Sequence, residues 1–390
     1  MLDEARSRTA TFQARLKEAG HRVAILTDES SIAYLAGFWG YLGIEFGRPT
    51  MLVLRADAAP IIVTPLMETE MVSTMTWVDD VRSWEDAGPD HWSAILANAI
   101  GEPAPREIAV ETRMLPAIVH DFFAERYPDA KLRDVSPLLG EQRMIKSPLE
   151  IGVMRQAGAI AAAMMDGARN AMDAGVPEYE VALAVMNAGT RKAAGFLTGK
   201  GWEAFVSPMI HNLQIIQSGA DTSMVHRRAS VKPLDPGDPV YLCFCNMVQF
   251  KQYKLGFDRQ FFIHHVSDEA AHVQETAVRA QQTALKSMRA GVTAESVAAA
   301  ANAVYRENGF SPGYRTGRSI GVAYLEAPEL KEGDKTILRP GMTFAVDGGV
   351  TVEGKFGGRI GDSVVVTETG FDYLTNYPRE LAVLQPRSAR

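Results

Sequence analysis

The stretch LDPGDPVYLCFCNMVQFKQYKLGFDRQFFI, residues 234–263, decides the fold. It opens on DPGDP (235–239), whose prolines and glycine mark a turn. Two strand-like runs follow, 239–250 and 256–264. The only cysteines of the chain, Cys243 and Cys245, sit one residue apart in the first run, so their side chains share a face and a disulfide between them would be strained. A second turn signal, LRPGM (338–342), introduces another strand pair at 342–350 and 362–367.

Long Ala/Met-rich helical runs stand outside these strands, at about 148–173, 178–194, 268–290 and 294–308. Two helix pairs, each followed by strands, give the pattern of an internal duplication around a curved antiparallel sheet. The first helix is announced by MIKSPLE (144–150): Ser147 is the cap, Pro148 suits the first helical position, and Glu150 completes a capping box. This sets the expected boundary between a domain at 1–143 and a larger one at 144–390. Upstream, an amphipathic helix (Asp3 to Ala19), a strand at 23–27 and a short helix at Ser31 to Leu35 precede strand-like runs at 51–56, 60–65 and 107–111. A helical piece lies near 90–100. Alternation of this kind reads as α/β.

Composition narrows the function. The net charge of -7 argues against a polyanionic partner, so no nucleic acid is expected. There is no run of about 18 apolar residues to span a membrane. The first twenty residues are charged throughout, and two cysteines fit a reducing compartment, which makes the cytoplasm the expected location.

Four segments, in order, resemble the creatinase/aminopeptidase P or pita-bread family: residues 234–263, TGRSIGVAYLEAP (316–328), ILRPGMTFAVDGG (337–349) and GGRIGDSVVVTETG (357–370). The resemblance implies an α+β fold, with a pita-bread C-terminal domain and a smaller α/β creatinase-type N-terminal domain. It also implies a homodimer in which the N-terminal domain of one subunit completes the other's site. Metal-dependent members carry five ligands in these segments. Aligned on Arg259, their positions hold Cys245, Gly256, Arg318, Asp347 and Gly361, with Asp362 beside the last, and the peptidases' second histidine falls on Leu325. Two adjacent divalent ions need several carboxylates. With one ligand of five left, no metal and no cofactor is expected.

Further stretches resemble creatinase, the metal-free branch: YLAGFWGYLGIEFGRP (34–49), VPEYEVAL (176–183) and QSGADTSMVH (217–226). Carried over, His226 is the catalytic histidine, Asp258 and Asp347 are the catalytic-site carboxylates that hold the substrate, and Phe46 and Arg48 face it from the N-terminal domain, with the arginine on its carboxylate. An imidazole can take a proton from water and return it to a leaving nitrogen. Two carboxylates without a metal call for a cationic group between them, and the planar donors of a guanidinium or amidinium match their lone pairs. Arg318 reads as a receptor for an anionic substrate group. Cys245 reads as a pocket residue or, if activated, a nucleophile, and Tyr253 as a further substrate contact.

The expected function is metal-independent hydrolysis of a C–N bond in a small zwitterion: a guanidino, amidine or cyclic amidine carboxylic acid, as in creatinase or ectoine hydrolase. Two alternatives stay open. One is an Xaa-Pro metallopeptidase with an unusual site, and the other is a non-catalytic small-molecule-binding pseudoenzyme.

Overall fold

The computed structural model describes residues 1–40, 42–198, 206–210, 215–224, 226–245 and 249–387, with the backbone alone at 44 and 45. The chain forms two compact units, Met1–Gln142 and Arg143–Arg390.

In the first unit, six strands are ordered Asp80–Trp84, Ile61–Pro65, Met51–Arg55, Val23–Leu26, Glu107–Val110, Lys131–Asp134. Val23–Leu26 runs antiparallel to Met51–Arg55 but parallel to Glu107–Val110, so the sheet is mixed. Its four inner strands are buried as nearly continuous runs because helices cover them, with Ile25, Val53, Val63 and Ile108 packed against Leu96 and Phe123.

The second unit starts as the sequence announces. The Ser147 hydroxyl accepts from the Glu150 N–H at 3.2 Å, the Glu150 carboxylate accepts from the Ser147 N–H at 2.8 Å, and Pro148 opens the helix Pro148–Ala171. That helix packs on Glu178–Leu197. Asp268–Ser287 pairs with Ala294–Glu307. The sheet has nine strands among the described residues, seven of them along a path Glu326–Leu330, Gly317–Ser319, Thr343–Val352, Phe356–Val366, Asp258–Ile263, Pro239–Cys243, Ile215–Ser218, with Phe371–Tyr373 paired to Phe356–Val366 off that path. Neighbours on this path are antiparallel, and Ala382–Leu384 adds a parallel edge to Asp258–Ile263.

The helix Asp268–Ser287 lies against Thr343–Val352 and Phe356–Val366, burying Ala277, Ala284, Phe344, Val346 and Val364 in one core. Full burial of each large apolar side chain there contributes about 1.5–3 kcal/mol. Two boundaries differ from the sequence reading. The strand expected at 362–367 begins at Phe356, since Gly357, Gly358 and Gly361 hide the alternation. The strand expected over 239–250 appears as Pro239–Cys243 and Gln249–Phe250, with 246–248 outside the described residues.

Candidate active site

Sheet register builds the site. Cys243 pairs with Asp258, Asp258 with Gly361, and Gly361 with Asp347, so these four residues form one row across four strands. Side chains in a row share a face. Arg318 pairs with Ala345, two residues from Asp347, and therefore projects on the same face. Cys245, two residues past Cys243, joins them from the turn that ends its strand.

Gly361 makes the carboxylates meet. Asp258 and Asp347 are two strands apart, about 9.6 Å between backbones, and they lean toward each other over the residue without a side chain. A Cβ at Gly361 would stand 2.7 Å from Asp258 Oδ2 and 2.9 Å from Asp347 Oδ1. Asp347 Oδ1 is buried and, among the described residues, has no hydrogen-bond partner.

Arg318 supplies the cation of this cluster. Its guanidinium donates to Asp347 Oδ2 at 2.5 Å and to Cys245 Sγ at 3.4 Å, and it lies 4.3 Å over the Tyr324 ring. At 3% exposure it is held inside the protein. The expected receptor for a substrate anion is thus a guanidinium already paired with Asp347.

One cation does not balance the site. Burial first, and the Asp347 charge second, push Asp258 up to about 6. Cys245 donates to Asp258 Oδ1 at 3.4 Å. Its hydrogen bond with Cys243 lowers the thiol pKa, but burial and the Asp258 charge outweigh that and raise it. A thiol held neutral in this way is a poor nucleophile.

The next residue along each strand faces the other way. Arg259 and Asp362 follow Asp258 and Gly361 and lie under the helix Asp268–Ser287. There Asp362 accepts from Arg259 Nη2 (2.9 Å), Arg379 Nε (2.9 Å) and Nη2 (3.0 Å), Gln281 Nε2 (3.0 Å) and Thr375 Oγ1 (2.9 Å). Asp362 is fully buried and structural.

His226 is exposed, three residues past the 3-10 turn Gly219–Ser223, and among the described residues none is hydrogen-bonded to its ring. The turn packs on the site face of Phe356–Val366: Thr222 Oγ1 accepts from Gly357 N–H at 3.0 Å, and a Cβ at Gly357 would meet Thr222 O at 2.5 Å. Gly357 and Gly361 are four residues apart in one strand and so share that face. Both ends of the His226 loop are tied by Glu178, which is fully buried. Glu178 Oε1 accepts from Ser218 Oγ at 2.7 Å, and Oε2 accepts from Ser230 N and Oγ at 2.9 and 2.6 Å. Sequence reasoning missed this role. The available signal was a glutamate opening a helix, which reads equally well as a dipole complement.

The remaining expected residues are placed as follows. Tyr253 is 1% exposed and its hydroxyl donates to Glu150 at 2.9 Å, so it packs the 249–254 hairpin against Pro148–Ala171. In the first unit, Phe46 is exposed at the end of the short helix Leu42–Phe46, and Arg48 pairs with Asp86 and donates to Met67 Sδ at 3.4 Å.

A two-unit chain with this sheet, and with acids converging on one row of it, defines an enzyme of the pita-bread fold. Residues 152–368 match metallopeptidase family M24 and residues 8–145 match the creatinase/prolidase N-terminal domain; the chain belongs to this family. It is 30% identical to an agropine synthesis cyclase of Rhizobium rhizogenes over 94% of both chains, and 25% identical to an ectoine hydrolase of Halomonas elongata over 98% of this chain and 97% of that one. The solved dipeptidase PepE of Mycobacterium ulcerans superposes with a TM-score of 0.83 at 28% identity, over 98% of each chain.

The two-metal centre that the family name implies does not fit these residues. A Cβ at Gly256 would stand 2.6 Å from Ala345 Cβ and 3.1 Å from Arg318 Nη2, and one at Gly361 would press on both acids. Arg318 brings a fixed positive charge to the same place. The donor set left for hard cations is too small and its space is taken. Among the described residues, no helix is long and apolar enough to cross a membrane.

Proposed function

We propose that this chain is a metal-independent hydrolase of a C–N bond in a small zwitterion, whose reacting group is a guanidinium, an amidinium or a cyclic amidine. The observation that carries this reading is the gap over Gly361, where Asp258 Oδ2 and Asp347 Oδ1 both lie within 2.9 Å of one point and the second has no donor among the described residues. A planar N–H cation matches that need in charge and in direction. The raised pKa of Asp258 marks the same deficit of positive charge.

In this scheme the carboxylates hold the cationic end. His226 takes a proton from water, the resulting hydroxide bonds to the amidine carbon, and the imidazolium returns the proton to the departing nitrogen as the C–N bond breaks. Arg318 holds Asp347 in place through the hydrogen bond to its Oδ2. The same reading makes the protein a homodimer, with Phe46 and Arg48 serving the anionic end of the substrate from the second subunit. Two of the relatives are named for a cyclisation and for hydrolysis of ectoine, and neither name refers to a peptide.

The likeness to PepE favours a second reading, a dipeptidase using metal. Metal analysis of protein purified without chelator, paired with a product screen on creatine, other guanidino acids and ectoine, separates the two. Below about a tenth of an equivalent with turnover sustains the proposal; about two equivalents sinks it. His226→Ala should then lower turnover by about 10²–10⁴-fold, and unchanged turnover would remove His226 from the mechanism.

A further inference from the structure

The site face carries a second cluster, built from Asp258 and two thiols that the hydrolytic scheme leaves unused. Cys243 Sγ, Cys245 Sγ and a carboxylate oxygen of Asp258 all lie within 4.8 Å of one another. Register puts them there: Cys243 is the direct cross-strand partner of Asp258, and Cys245 turns back onto the same face at the strand's end. Cys243 and Asp258 are each 4% exposed, while Cys245 is partly open and gives access. We infer that these three residues form a mononuclear site for a soft divalent cation of the zinc or cadmium type, which shares only the position of Cys245 with the family's two-metal centre and otherwise uses different donors.

The chemistry fits the donors. Two sulfurs and one carboxylate oxygen are a set that soft d¹⁰ ions accept in tetrahedral geometry, with a fourth position left to water. A Zn–S bond of about 2.3 Å gives ligand–ligand edges of roughly 3.8 Å, so the observed spread closes with side-chain rotation alone. Binding sends both thiol protons to solvent. Two thiolates and a carboxylate exceed a divalent charge by one, and the Arg318 guanidinium, 3.4 Å from Cys245 Sγ, supplies an opposite charge beside them. Hard ions such as magnesium gain nothing from sulfur and are excluded. With the ion in place Asp258 is withdrawn from any substrate, so under the hydrolase reading a soft metal inhibits; the site itself stands whether or not that reading holds.

These are the chain's only two cysteines, so any thiolate-to-metal charge-transfer absorption reports this site alone. The test is a titration of the full-length reduced protein with cadmium, followed in the ultraviolet. The expected result is one cadmium per chain with the intensity of two thiolates, a signal that zinc displaces and magnesium does not. Cys245→Ala, at the partly open turn, should halve the intensity, and Cys243→Ser with Cys245→Ala should abolish it. Asp258→Asn should keep the band but weaken apparent affinity tenfold or more. Absence of the band from wild-type protein overturns the inference, as does one cadmium shared between two chains or an affinity indifferent to Asp258→Asn.

Discussion

Asp258 and Arg259 are neighbours in sequence, as are Gly361 and Asp362, yet the two faces of their strands solve the burial of charge in opposite ways. On the helix side, Asp362 receives five hydrogen bonds, four of them from Arg259, Arg379 and Gln281. On the other, among the described residues, Asp258 and Asp347 share one arginine and two thiols, and one carboxylate oxygen receives no hydrogen bond. A buried charge that is fully paired holds the fold together, whereas an underpaired one is left to be completed by a ligand. The same sheet therefore carries a fully paired acid, Asp362, one register position from an underpaired one, Asp258.

Breaking the structural side should have the largest effect. Asp362→Ala leaves Arg259 and Arg379 facing each other in the core and should cost about 3–5 kcal/mol in urea denaturation. A loss under 1 kcal/mol would erase the distinction between the faces. Asp258→Asn should act in the opposite direction on stability. The folded-state pKa of Asp258 is raised from 3.8 to about 6, so its contribution is favourable below the unfolded value and is lost as pH rises through the folded one. The neutral asparagine should thus stabilise the protein at pH 8 by up to roughly 3 kcal/mol, with the gain gone near pH 4, while substrate turnover falls. A variant that is less stable at pH 8 would mean that Asp258 is paired after all.

Gly361→Ala places a methyl against both acids and should cost about 1–3 kcal/mol and raise KM more than it changes kcat. The smallest expected effect is on the loop. Glu178→Gln keeps shape but weakens the ties at Ser218 and Ser230, for about 1–2 kcal/mol of stability. It should lower kcat several-fold with KM little changed, and an effect on KM alone would disconnect Glu178 from His226.

Much of this arrangement is legible in the sequence, because helix caps, turn residues and apolar periodicity are local. Ser147, Pro148 and Glu150 announce their helix, and DPGDP and LRPGM announce their strands. The convergence of Asp258 and Asp347 is not local. It depends on register across three strands and on a glycine between them, and FGGRIG (356–361) offers no alternation to read. Arg318 illustrates the same limit: its residue type is visible, but its partner lies 29 positions away. Tyr253 reads as a polar contact from its phenol, and only the helix packed over it fixes that hydroxyl on Glu150.

The glycines at 256 and 361 also work as a ratchet. A carboxylate reintroduced at either position collides with Arg318 or with the two acids, and Arg318 replaced first leaves those acids repelling each other in a dry site. Each of these single substitutions is expected to give a less stable protein.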